Sequence, residues 1–171
     1  MPRGVGLSTA AVVGAALVLV DERGADALTL SAVAARTKVA APSLYKHVRG
    51  LPELRTLAAA QVRADLGAHL RQAVLGRSGE DAVLALLRAH QEFADRHPHR
   101  YALAVAGHQD PQLDGVLAAA LHGYGLTAAN LRHAVHALRT VALASAALGS
   151  SEETRRVLAG LFTAGLAGLR G

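Results

Sequence analysis

Apolar positions recur at three- and four-residue steps along nearly the whole chain, and no stretch alternates convincingly at every second residue. The first periodic run starts at Ser8 or Thr9, ends near Arg23 and puts Val12, Ala16, Leu19 and Val20 on one face, with Gly24 as its stop. Thr29 is placed to cap a second helix whose Leu30, Val33 and Ala34 face inward. After a break at Thr37-Lys38-Val39-Ala40, Pro42 fits the first turn of a third helix, where its missing N–H costs nothing. Leu44 and Val48 give that helix a buried stripe, and Gly50 ends it. A long fourth helix is predicted from about Pro52 to Leu75. Five more follow: 80–97 behind a Ser78/Asp81 capping-box pattern, 99–107, one opened by Asp110-Pro111 and reaching His122, one from Thr127 to Leu148, and one behind Ser150/Glu153 to Leu169. The expected class is all-α, with about nine helices.

The chain has 171 residues, enough for a substantial core, and no internal repeat or low-complexity linker. Two parts are expected, 1–52 and 53–171, joined through the long fourth helix. Hydrophobic residues make up 51% but aromatics only 3%, so the core is built from small side chains that let helices approach closely. Cysteine is absent, which removes disulfides and thiolate chemistry and suits a reducing cytoplasm. The net charge of +5 favours an anionic partner, and the positive charge is denser in residues 1–60 than beyond. Arg3, the apolar run Ala10–Val20 and Ala25-Asp26-Ala27 imitate an export signal. Asp21, Glu22 and Arg23 interrupt it, and the run is too short to span a bilayer, so neither export nor a membrane is expected.

Residues 29–48 therefore form a short helix, a tight break and a second short helix, the geometry of a helix-turn-helix. Both lysines of the chain, Lys38 and Lys46, fall in this stretch, together with Tyr45 and His47. With Leu30, Val33, Ala34, Val39, Leu44 and Val48 turned inward, Ser43, Tyr45, Lys46 and His47 are left facing outward. Lysine binds phosphate as a point charge, hydroxyls donate to phosphate or bases, and His reaches either. On spacing alone, an ordinary helical hairpin with a solvated polar face accounts for the pattern equally well.

Three segments carry a resemblance: ALVLVDERGADALTL (16–30), SAVAARTKVAAPSLYKHV (31–48) and the Glu53-Leu54 pair opening the fourth helix. In combination they resemble the N-terminal domain of TetR-family transcriptional regulators. The carrying features are Asp21-Glu22-Arg23-Gly24 closing the first helix, Thr29 before the second, and Leu44-Tyr45-Lys46-His47-Val48 closing the third. The resemblance implies that Thr29 and Ser31 touch the phosphate backbone. It places Pro42, Ser43, Tyr45, Lys46 and His47 at the major groove and its flanks. It also implies a homodimer on a palindromic operator in double-stranded DNA, acting as a repressor and answering to a small-molecule effector. Two positions depart from the family pattern. Lys38 stands where the turn often has Gly, and Gly50-Leu51-Pro52 replaces a frequent Lys at the start of the fourth helix, leaving Lys38 and Arg49 to supply that phosphate contact.

The second part offers few polar handles. His90, Phe93, Tyr101, Leu121 and His136 are the expected lining of an effector pocket, and an effector that is mainly apolar follows from the Ala/Leu/Val-rich surroundings. His97-Pro98-His99 and His133 with His136 suggest a metal-responsive alternative. No carboxylate sits at ligand spacing beside them, so no metal and no cofactor is expected. The last two helices are apolar on more than one face, which fits a two-fold four-helix interface. Leu131, Val135, Leu138, Leu158, Leu161, Phe162 and Gly165 are its expected members. No nucleophile–base set and no phosphate-cradling glycine loop appears, so no enzyme is expected. A ligand-blind helical interaction module is the remaining alternative.

Overall fold

The structure, a computed structural model, describes residues 7–106 and 110–169. The chain position of Arg3 and the predicted helix end at 107 lie outside these residues. Nine α-helices succeed one another among them: α1 (Thr9–Arg23), α2 (Leu30–Thr37), α3 (Ala41–Leu44), α4 (Leu51–Val74), α5 (Gly79–Arg96), α6 (Pro98–Val105), α7 (Pro111–Ala120), α8 (Ala128–Ala147) and α9 (Glu152–Leu166). Local signals set most starts. The hydroxyl of Ser8 accepts from Ala11 N, that of Thr29 from Ala32 N and that of Thr127 from Asn130 N, while Asp110 accepts from Gln112 N and Leu113 N. Each satisfies a backbone donor that the first turn leaves unpaired.

Three local expectations change. The third helix ends at Leu44 and continues to Val48 largely as tight turns, with Tyr45, Lys46 and His47 N–H groups donating to the carbonyls three residues back. Too few residues separate Ala40 from Gly50 for a run of i→i−4 bonds to establish itself. The last helix is capped by Ser151, not Ser150, and Asp81 is held by Arg77 through two 2.9 Å bonds rather than reaching back to close a capping box.

The chain divides into two compact units. The first runs through Val62 and includes His97–Ala104; the second comprises Arg63–Arg96 and the residues from Val105 onward. In the first, Val12, Ala16, Leu19 and Val20 of α1 are buried with Leu28, Val33, Leu44, Val48 and Leu54. The apolar run that imitates an export signal is thus the inner face of α1. Leu30 and Val39 are only half-buried. Arg100 of α6 grips Asp21 with two bonds of 2.7 and 2.5 Å, and Arg36 of α2 bonds Glu22 at 2.9 Å.

In the second unit α5 packs against α8 and α9, and α7 against α8. Leu66, Leu70, Leu86, Leu87, Leu117, Leu121 and Leu138 fill the interior. Arg88 of α5 donates to Glu152 at the start of α9, with Nε 2.9 Å from Oε1. These hydrogen bonds hold the Glu152 carboxyl down to about 2.

Candidate nucleic-acid interface

The turn between α2 and α3 is built from backbone hydrogen bonds. Val39 N donates to Ala34 O (3.1 Å) and Lys38 N to Ala35 O (3.3 Å), the paired arrangement of a Schellman cap. That cap needs a left-handed residue, and Lys38 takes it with φ 56° and ψ 36°. It is the one non-glycine residue with positive φ among those described. A side chain there crowds the carbonyl at a cost of about 1 kcal/mol. Replacing it tests two properties at once. Lys38→Gly is expected to raise the denaturation midpoint by an amount equivalent to about 0.5–1 kcal/mol. The same variant is expected to bind DNA less tightly, with a shallower salt dependence. Unchanged DNA affinity would remove Lys38 from the interface.

Beyond the turn, Leu44 and Val48 anchor the segment while its polar residues stay outside. Tyr45 is 60% exposed, and Pro42 and Lys46 are exposed. Ser43 and His47 are half-buried. Thr29 and Ser31 lie exposed at the head of α2; the Thr29 oxygen is committed as an acceptor to Ala32 N, which leaves its O–H free to donate. The Arg49 side chain is 92% exposed and only loosely drawn to Glu53, at 3.3 Å. Glu53 chiefly accepts from Arg49 N (2.5 Å), a bond that tightens the entry into α4 and lowers the affinity of its carboxyl for a proton. Lys38, Lys46 and Arg49 thus share one short exposed segment that contains no carboxylate, while Asp21 and Glu22 are matched by Arg100 and Arg36.

Residues 12–49, which contain this turn and both its helices, match the family described as "Bacterial regulatory proteins, tetR family". This match places the N-terminal part of the chain with the TetR family. An uncharacterized HTH-type transcriptional regulator of Mycobacterium tuberculosis, Rv0681, is 34% identical over 130 residues, covering 70% of this chain and 60% of that protein. Another from Bacillus subtilis, YobS, is 32% identical over 101 residues, 59% of this chain and 53% of that one. The chain therefore matches between half and two thirds of the length of these relatives. The transcriptional regulator SCO7222, a TetR from Streptomyces coelicolor, shares the fold with a TM-score of 0.74 at 21% identity, over 96% of this chain and 100% of that one. The likeness covers both units, so the all-α architecture of a helix-turn-helix followed by a helical C-terminal part is a TetR architecture.

The TetR family match does not reach the second unit, and there the structure redistributes the expected residues. His90, Phe93 and Leu121 are buried in that unit. Tyr101 is buried too but belongs to the first unit, where burial pushes its phenol far above the ordinary range. His136 is exposed and lines a groove of about 520 Å³ between α7 and α8. Of the expected dimer set, Val135 and Leu138 are buried inside their own unit, Leu138 completely, so Leu138 offers no surface to a partner. Leu131, Leu158 and Phe162 are half-buried, and Leu161 and Gly165 are exposed. Val157, 55% exposed and one turn before Leu161, was not in the expected set although the four-residue spacing pointed to it. Sequence reasoning also missed Asp114, Arg132 and Arg139 of the α7–α8 groove. Asp114 and Arg139 lie 25 residues apart and meet at 2.7 Å, a pairing that only packing reveals. Among the described residues no group of three or more His, Asp or Glu could hold a metal ion, and no helix is long and apolar enough to cross a membrane.

Proposed function

We propose that the chain is a cytoplasmic DNA-binding transcriptional regulator, a repressor that sits on a palindromic operator as a homodimer. Residues 1–52 read the DNA, and residues 53–171 dimerise and bind an effector. The observation that carries this reading is the exposed segment from Lys38 to Arg49, cationic and hydroxyl-bearing, held rigid by Leu44 and Val48 beneath it. Thr29, Ser31, Lys38, Lys46 and Arg49 contact phosphates; Pro42, Ser43, Tyr45 and His47 meet the major groove. Each subunit sets one copy of the segment into one half-site. The effector is a small, mainly apolar molecule. To shift the protein from 1:99 to 99:1 in favour of the state that leaves DNA, it must prefer that state by about 5.5 kcal/mol. The linking element is α4, an unbroken helix with residues in both units.

Selection of duplexes from a random pool by the purified protein tests the reading: a two-fold symmetric sequence is expected to enrich, and a pool that stays random would sink it. Lys46→Ala refines it. Loss of a phosphate contact weakens specific and random DNA alike and lowers the slope of log affinity against log salt by about one unit. An unchanged slope with altered sequence preference would move Lys46 to base reading.

A further inference from the structure

The groove between α7 and α8 combines two features that the fold itself does not need. Its floor is small and apolar, made by Gly115 and Ala118 from α7 and by Leu131 and Val135 from α8. Its rim is cationic. Arg139 and Arg132 line it together with a single carboxylate, Asp114, so the lining carries one net positive charge with His136 neutral. Arg132 is exposed and has no ionic partner among the described residues. Arg139 donates one N–H to Asp114 (2.7 Å) and one to His136 Nδ1 (2.8 Å). A guanidinium has five such donors, so three remain. Arginine can only donate, so Nδ1 of His136 must be the unprotonated nitrogen, which places the ring proton on Nε2 and makes it a further donor.

We propose that this groove binds an amphiphile with one anionic head and a short alkyl body, of the kind of a medium-chain carboxylate. Planar guanidinium donors match a carboxylate bidentately, which a neutral or cationic head cannot exploit. From Leu131 to Arg139 the groove runs about two helical turns, roughly 11 Å, the reach of such a chain. The volume of about 520 Å³ is that of a small-molecule site. The head competes with Asp114 for Arg139. Asp114 lies one turn after Asp110, which caps α7 and sits 2.8 Å from Arg63 Nε of α4. Occupation of the groove therefore loosens α7 from α8 at the helix that also holds α4. Only this last consequence rests on the reading of the chain as an effector-released regulator.

Calorimetry of the purified protein, without DNA, with octanoate, octan-1-ol, octylamine and acetate tests the site. Octanoate is expected to bind about tenfold more tightly than octan-1-ol, with octylamine weaker still and acetate undetected in that range. Arg139→Gln, which removes the guanidinium but keeps an amide that can donate to Asp114, is expected to lower octanoate affinity about tenfold and leave octan-1-ol unchanged. Ala118→Phe fills the floor and is expected to abolish both. Equal binding of octanoate and octylamine, or octanoate binding indifferent to Arg139→Gln, overturns the site, as does a variant that changes the subunit association, which would make the groove a face between copies. Octanoate that binds but leaves operator affinity unchanged supports the site and overturns its effector role. Intact operator binding with no octanoate binding overturns the site and leaves the regulator reading standing.

Discussion

If the protein is the homodimer proposed, Leu161→Glu is expected to leave each subunit folded and to separate the pair into single subunits. Leu161 is 68% exposed within its own unit, so a charge there disturbs little of the subunit's packing. With Val157 one turn before it and Gly165 one turn after, it stands on an uncovered apolar strip of α9. If that strip pairs with its symmetry mate, the substitution buries an unpaired carboxylate twice, at a cost of several kcal/mol, about 3–5 for each uncompensated charge. Operator affinity is expected to fall by about 10²–10⁴, because two half-sites are no longer engaged together. Sedimentation and operator titration of the same sample read both effects, and an intact dimer with normal binding would place the interface elsewhere. The same charge at Leu138, which is fully buried, would test the fold instead.

Acid is expected to weaken the second unit through His90. This ring is 4% exposed, and its burial, helped by the nearby His69, lowers its pKa from 6.5 to about 4. Above the unfolded value neither state binds the proton and His90 adds no pH dependence. Between pH 6.5 and 4 the unfolded chain takes up a proton that the folded one refuses, so stability falls as the pH falls and levels off below about 4. A depression of this size corresponds to about 3 kcal/mol, large beside the total stability of a domain. Urea midpoints for the protein and for His90→Leu, measured across this window, are expected to diverge as the pH drops. Parallel curves would show that His90 is not the group responsible. Glu152 titrates in a lower range: its carboxyl is held near 2 by Arg88, so its contribution is present above 4.5 and is lost as pH falls from 4.5 through 2.

Most starts of the helices, and the lengths of the long ones, were legible in the sequence because they depend on neighbours in the chain. Ser8, Thr29, Asp110 and Thr127 each satisfy a donor two or three residues away, and the buried faces of α1 and α5 repeat every three to four residues. The helix-turn-helix was legible for the same reason: Leu44 and Val48 are a local stripe, and once they turn inward the polar residues between them have only the outside. Even there the backbone added something of its own. A lysine in the turn gives no sign that its φ is positive; two carbonyls left over by α2 demand it.

What only the tertiary structure decided is which surface covers which. An apolar stripe says that a helix face will avoid water, but not whether it does so inside its own unit or against another molecule. Leu138 and Leu161 both read as members of one interface, yet the first is sealed under α8 and the second stands open on α9. Histidine has the same ambiguity: His90 and His136 both fall beside apolar residues, but one is buried in α5 and the other rims an open groove. The pairs Asp21 with Arg100, Asp114 with Arg139 and Arg88 with Glu152 join residues 79, 25 and 64 positions apart. Local periodicity carries no information at such separations, because the partners are chosen by how helices already formed come to pack.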